Sequence, residues 1–308
     1  MSLALALLLQ APLLERAELV MGAPPLKEPP ALDVQTHAEE KIEGGVLRKI
    51  SFAAEPGDRV PAWLIVPDGA RRASAAVCLH QTTRMGKDEP IGKGLRNLAY
   101  AKEIAARGLV TLSPDYPNFG EYKVDVYARG WASATRKAVW NHMRAVDVLR
   151  SLPEVHPERI AAIGHSLGGH NAIFLAVFDP RVKAVVSSCG FNAFPKYMKG
   201  DLTGWSHKGY MPRIAELYGK DPARMPFDFP ELLRSLAPRA LFINAPLGDA
   251  NFEVSGVRDC VEVAKPAYAE RGAGDALVVE YPEAGHDFPE AVRRRAYEFL
   301  EKALLRVK

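Results

Sequence analysis

The chain is poor in most features that would mark a special class of protein. Its 308 residues include three cysteines, Cys78, Cys189 and Cys260, far apart and without a C-x-x-C spacing. Neither a disulfide framework nor a zinc site is indicated, and a reducing, cytoplasmic compartment is the simpler expectation. Charge of one sign is also scarce. Forty basic against 37 acidic residues leave +3, and no basic block interleaves with aromatics, which argues against nucleic acid as a partner. Long apolar runs are missing: residues 3–9 are wholly apolar but too short to span a bilayer, so no membrane partner is expected. That run has no Lys or Arg before it and no small-x-small cleavage site after it, so it makes a poor secretory signal. A helix through about Glu15 to Met21, docked on the domain, is expected instead. No internal repeat or low-complexity segment is evident.

What remains is ordinary globular composition, with 48% hydrophobic and 25% charged residues. The length suits one α/β domain with a small insertion. Residues 1–45 are expected to form an N-terminal helix and an extended connection, because Pro24, Pro25, Pro29 and Pro30 cannot continue a helix. Residues 46–308 would be the domain. Residues 46–52 and 60–66 read as an antiparallel hairpin turned through Pro56-Gly57-Asp58. From residue 75 strands and helices alternate: strands at 75–79, 109–113, 160–163, 182–188, 239–244 and 276–281, and helices at 95–107, 133–152, 171–178, 261–269 and 289–305. This pattern predicts a doubly wound, mostly parallel sheet with ligands bound at the strand C-terminal ends. Residues 191–229 break the alternation with eight aromatics and no clear period, which predicts a cap insertion over the site.

The stretch Ile160-Ala161-Ala162-Ile163-Gly164-His165-Ser166-Leu167-Gly168-Gly169 carries the chemistry. Four apolar residues suit a buried strand, and G-x-S-x-G between strand and helix is the nucleophile elbow, which lifts the Ser166 hydroxyl over the sheet edge. A serine alone is a weak nucleophile and needs a histidine base with a carboxylate behind it. Asp249, in the turn after strand 239–244, is the expected acid, with Glu253 and Asp259 as competitors. His286, after the last strand, is the expected base; as an alternative it begins the last helix, capped by Asp287. His80, His165 and His170 also fall near the site but precede the acid in chain order. The oxyanion would be held by the Leu167 amide and a second amide from Thr82 or Gln81, in the loop after strand 75–79. Trp205 and Tyr210 of the insertion, with His80, are the expected pocket residues.

With these residues in place the chain resembles the α/β-hydrolase superfamily, and within it the acetyl-xylan-esterase and dienelactone-hydrolase branch, over about residues 46–305. The resemblance rests on Cys78-Leu79-His80-Gln81-Thr82-Thr83, Ser113-Pro114-Asp115-Tyr116-Pro117, Gly164-His165-Ser166-Leu167-Gly168-Gly169, Gly248-Asp249 and Gly285-His286-Asp287. It implies serine-dependent hydrolysis of small-molecule carboxylic esters, without metal or organic cofactor. Two departures stand out. Many relatives have His-Gly where this chain has His80-Gln81, and dienelactone hydrolases carry cysteine where this chain has Ser166. A serine peptidase of the prolyl-oligopeptidase kind shares the elbow and the triad order, but usually adds a large gating domain that 308 residues cannot hold. A non-catalytic binding protein on the same fold is the third reading, against which the intact Ser, Asp and His stand.

Overall fold

The computed structural model describes residues 12–307, so the apolar run at 3–9 lies outside it. One nine-stranded sheet, in the order β1-β2-β3-β5-β4-β6-β7-β8-β9, forms the middle layer. Its strands are β1 (Gln35–Ile42), β2 (Gly45–Glu55), β3 (Asp58–Pro67), β4 (Ala73–Leu79), β5 (Val110–Pro114), β6 (Val155–His165), β7 (Val182–Ser188), β8 (Ala240–Asn244) and β9 (Leu277–Glu280). The first three are antiparallel and β3 meets β5 antiparallel, whereas every pairing from β5 through β9 is parallel. This is the doubly wound, mostly parallel sheet with an N-terminal hairpin that the alternation predicts. Strand β1 is an addition: residues 35–42 are nearly all exposed, so no buried-face alternation marks them in a region read as an extended connection.

Helices cover both faces. They are α1 (Leu13–Met21), α2 (Tyr100–Ala105), α3 (Ala134–Ser151), α4 (Leu167–Phe178), α5 (Arg213–Glu216), α6 (Phe229–Leu236), α7 (Val254–Glu270) and α8 (Glu290–Leu305). Side chains alternate along each parallel strand, so successive residues feed different cores. Ile160 and Ala162 of β6, Val185 of β7 and Leu241 and Ile243 of β8 pack with α3, α4, α6 and α7. Ala161 and Ile163, Ala184 and Val186, and Phe242 pack with α2 and α8. Both faces being buried is why these strands read as continuous apolar runs.

The helix expected at 95–107 is shorter, because Ala99, with φ −79° and ψ 31°, separates an isolated turn at Arg96–Leu98 from the helix, and only Tyr100–Ala105 is α-helical. Helix α1 docks as expected, burying Ala17, Val20 and Met21. Its Arg16 guanidinium donates to the Pro226 carbonyl at 2.6 Å and to Glu231 at 2.9 Å. A buried ion cluster ties the hairpin to α3: Lys137 donates to Asp58 at 2.6 Å and pairs with Glu55, with the Tyr122 hydroxyl on the same Asp58 oxygen. Residues 191–229 contribute only short turns and α5 before α6 begins, and their aromatics form one packed cluster. Trp205, 2% exposed, is its hub, with ring contacts to Phe194, Tyr197, Tyr210 and Phe229. Among the described residues no helix is long and apolar enough to cross a membrane.

Candidate active site

The parallel strands β4, β6, β7 and β8 deliver their C-terminal ends to one edge, and the chemistry-bearing residues collect there. Ser166 stands between the end of β6 and the start of α4 with φ 53° and ψ −117°, a conformation that costs an L-residue of order 1–3 kcal/mol and persists only where its surroundings impose it. Its amide donates to the Ser188 carbonyl at 2.8 Å, and its own carbonyl accepts from Gly169 at 2.9 Å. The flanking glycines are a matter of space rather than dihedral freedom. A Cβ on Gly164 would run into the Gly168 backbone, and one on Gly168 into the Leu79 carbonyl. The G-x-S-x-G spacing is therefore a packing requirement: strand, elbow and helix approach too closely for side chains.

Asp249 and His286 meet. The ring Nδ1 of His286 lies 3.0 Å from both carboxylate oxygens of Asp249. The Asp249 side chain is almost wholly buried, while that of His286 is 29% exposed. Burial pushes the Asp249 carboxyl up, but the His286 hydrogen bond and the amides of Phe252 and Asn251, at 3.0 and 2.8 Å, outweigh it and hold the group below its ordinary value. The carboxylate thus stays ionised behind a ring whose Nε2 is left for another partner. The competing acids are elsewhere: Glu253 accepts from Ser255 at 2.6 Å just ahead of α7, and both Glu253 and Asp259 are exposed.

Supporting residues hold this pair. Asn244, at the end of β8, donates to the Asp287 carbonyl at 2.9 Å and to the Ser188 hydroxyl at 2.8 Å, fixing the loop that carries His286. His165 packs its ring 4.9 Å from that of His286, and its Nδ1 is 2.9 Å from the Ser188 hydroxyl. Burial and the neighbouring His286 lower His165 to about 3, so it stays neutral. The Cys189 thiol also lies close: with Asp249 and His286 it forms the one group of potential metal ligands among the described residues. Those donors are already committed. Both Asp249 oxygens face His286, and burial followed by the Asp249 charge raises the thiol well above its ordinary value, so it keeps its proton and donates to the Asp287 carbonyl.

Leu167 opens α4, where the first amides of a helix have no intrahelical acceptor. Across the edge, the loop after β4 is set by His80. Its Nε2 accepts from the Tyr116 amide at 3.0 Å, so Nδ1 carries the proton and donates to the Gln81 carbonyl at 2.6 Å. In a planar trans peptide the next N–H points the opposite way, so His80 fixes the direction of the Thr82 amide. Thr82 in turn shares a 3.0 Å hydrogen bond with the Tyr210 hydroxyl, and Gln81 donates its side chain to Glu89.

A cavity of about 70 Å³ opens against Ser166, lined by Thr82, His170, Tyr197, Trp205, Tyr210 and Phe252 among others. Trp205 and Tyr210 are there as expected. His80 is a support for the loop rather than a pocket residue. Phe252 and Asn251, which follow the acid in a loop without any pattern, are cavity residues that sequence reasoning misses, and Tyr197 is hidden in the unphased aromatic segment. Larger depressions elsewhere, such as one near Asp58 and Arg129, lie away from the serine.

Residues 94–297 match the family model described as the alpha/beta hydrolase family. The chain is 25% identical over 301 residues to the YtaP protein of Bacillus subtilis strain 168, which carries a provisional hydrolase name, covering 92% of this chain and 96% of that one. A shorter match, 28% identical over 142 residues, covers 46% of this chain and 31% of the esterase FrsA of Salmonella newport. Among the solved structures that share the fold are a glucuronoyl esterase from Solibacter usitatus, with TM-score 0.73 and 19% identity over 98% of this chain and 92% of that one, and acetyl xylan esterase 1 from Thermoanaerobacterium sp., with TM-score 0.63 and 17% identity over 95% and 99%.

Proposed function

This chain belongs to the alpha/beta hydrolase family, and from that premise we propose that it hydrolyses carboxylic esters of short acyl groups through Ser166, His286 and Asp249. The observation that carries the reading is the buried Asp249 carboxylate held 3.0 Å from His286 Nδ1, on the same sheet edge as a serine in a strained elbow. The Nδ1 hydrogen bond leaves the lone pair on Nε2, where it can accept the Ser166 proton as Oγ attacks the ester carbonyl carbon. The tetrahedral oxyanion is held by the Leu167 and Thr82 amides, whose positions support that role. Nε2 then returns the proton to the departing alcohol, and water repeats the sequence on the acyl-enzyme to release the acid. Asp249 stabilises the imidazolium throughout. That FrsA, the glucuronoyl esterase and the acetyl xylan esterase bear esterase names supports the choice of esters.

The cavity limits the acyl group. Its small space, about 70 Å³, and its aromatic lining favour an acetyl over a long chain. Labelling with a fluorophosphonate should modify Ser166, and Ser166→Ala should abolish labelling and lower aryl acetate hydrolysis at least about 10³-fold. A variant retaining a tenth of the parent rate would remove Ser166 from its role. In a panel of aryl esters, acetylated sugars and aminoacyl anilides, acetates should be turned over at least about tenfold faster than hexanoates. Anilide cleavage without ester cleavage would replace the esterase by the peptidase.

A further inference from the structure

The cavity beside Ser166 is lined by two side chains whose buried polar atoms have no hydrogen-bond partner among the described residues. His170 and Trp205 are each 2% exposed, both line the cavity, and their rings lie 4.7 Å apart. His170 follows Ser166 by one turn of α4, and helical side chains lean toward the helix start, here the elbow. Its Nδ1 lies 3.0 Å from the Gly190 carbonyl, which can only accept, so Nδ1 carries the ring proton and Nε2 is an acceptor. That Nε2 has no hydrogen-bond partner among the described residues. Burial lowers His170 to about 3, so the acceptor is present throughout the working pH range. Trp205 Nε1 is a donor by constitution, and it too has no partner among the described residues. A buried donor and a buried acceptor left open at one small cavity each carry a desolvation cost, and one group that both accepts and donates would relieve both. A hydroxyl is the smallest organic group that does so.

We propose that this cavity is a hydroxyl subsite, in which a substrate hydroxyl accepts from Trp205 Nε1 and donates to His170 Nε2, making hydroxylated esters the preferred substrates. The inference rests on the esterase reading and narrows it. The hydroxyl can arrive on the acyl side, as in a 2-hydroxyacyl ester, or on the alcohol side, as in a monoester of a diol.

The test compares isosteric pairs on the parent enzyme. Aryl glycolate against aryl propionate exchanges OH for CH₃ on the acyl side, and the 2-hydroxyethyl ester of acetic acid against the propyl ester does so on the alcohol side, each rate being divided by that of hydroxide-catalysed hydrolysis. A preference for the hydroxylated member of roughly 10- to 100-fold in kcat/KM is expected in one pair, the scale set by leaving buried polar groups unmet. The pair that responds identifies the side. Trp205→Phe, which deletes Nε1 alone, and His170→Phe, which deletes Nε2 together with the Nδ1 bond to Gly190, should each bring that ratio to within about threefold of one. Equal rates in both pairs for the parent would overturn the subsite, as would a preference that survives both substitutions. Fluorophosphonate labelling of Ser166 on the same samples separates the two readings: labelling and turnover without hydroxyl preference defeats the subsite alone, whereas absence of both defeats the esterase.

Discussion

Acid should unfold this protein in a way that three buried histidines and one buried aspartate set between them. His142, His165 and His170 are each lowered by burial to about 3, while Asp228 is raised by burial to about 7 against the pull of the Phe229 and Phe194 amides. A histidine whose folded value lies below its unfolded value near 6.5 favours folding fully above pH 6.5, and loses that advantage as pH falls, because only the unfolded chain takes the proton. Between pH 8 and pH 5 each such group costs about 2 kcal/mol, and the three together about 6. Asp228 acts in the opposite sense. Its folded value lies above the unfolded one, so it favours folding at low pH, and over the same interval it returns about 3 kcal/mol. These four groups together should therefore cost about 3 kcal/mol on going from pH 8 to pH 5, a large part of a typical domain's stability. Two variants pull these apart. His142→Leu, at a ring whose Nδ1 has no partner among the described residues, should reduce the parent's loss by about 2 kcal/mol, and Asp228→Asn should enlarge it by about 3. Urea unfolding followed by tryptophan fluorescence at pH 8, 7, 6 and 5 measures both. A parent-like slope in His142→Leu, or a flatter one in Asp228→Asn, would refute the reasoning.

Asp249→Asn should cut ester turnover by about 10⁴, the scale for a buried carboxylate that orients a catalytic imidazole, whereas Glu253→Gln and Asp259→Asn should stay within about threefold; steady-state kinetics on an aryl acetate checks the ranking, and its reversal would move the acid. Lys137→Met should destabilise by about 3–5 kcal/mol, because Glu55 and Asp58 would keep their buried charges without their cation. Urea titration reads this directly, and a change below about 1 kcal/mol would show that the cluster contributes little.

Much of this architecture is legible in the chain because it follows from local sterics and burial. Residues 182–188 coincide with β7 since both faces of that strand are covered and every second residue feeds the same core. The elbow is legible because backbone contacts forbid side chains at Gly164 and Gly168. The start of α2 is not, because Ala99, with φ −79° and ψ 31°, divides the helical-looking run from residue 95 into a turn and a short helix, and an alanine gives no sign of a break. Helix α6 carries an aspartate cap at Asp228 and an early Pro230, signals overlooked within an aromatic stretch that has no period. His80 was legible as a residue near the serine, but not as a support for the loop, since its partners Tyr116 and Gln81 are chosen by the meeting of β4 and β5. His170 shows the same limit: proximity to Ser166 follows from the sequence, while its open nitrogen depends on Gly190 and Trp205, brought in from the next strand and the insertion.

The docking of α1 has a consequence for how the chain is made. Its anchors lie far downstream: Arg16 reaches residues 210 and 215 positions later, and the Met21 carbonyl receives the Ser133 hydroxyl across 112 positions. A ribosome adding about 5–20 residues per second needs roughly ten to forty seconds to supply the more distant of these. The segment is thus among the first of the described residues to be synthesised and among the last to find its place. Ser133 is made well before Pro226 and Glu231, so the Met21 end of the helix gains its anchor first, and its full seating follows the synthesis of Glu231.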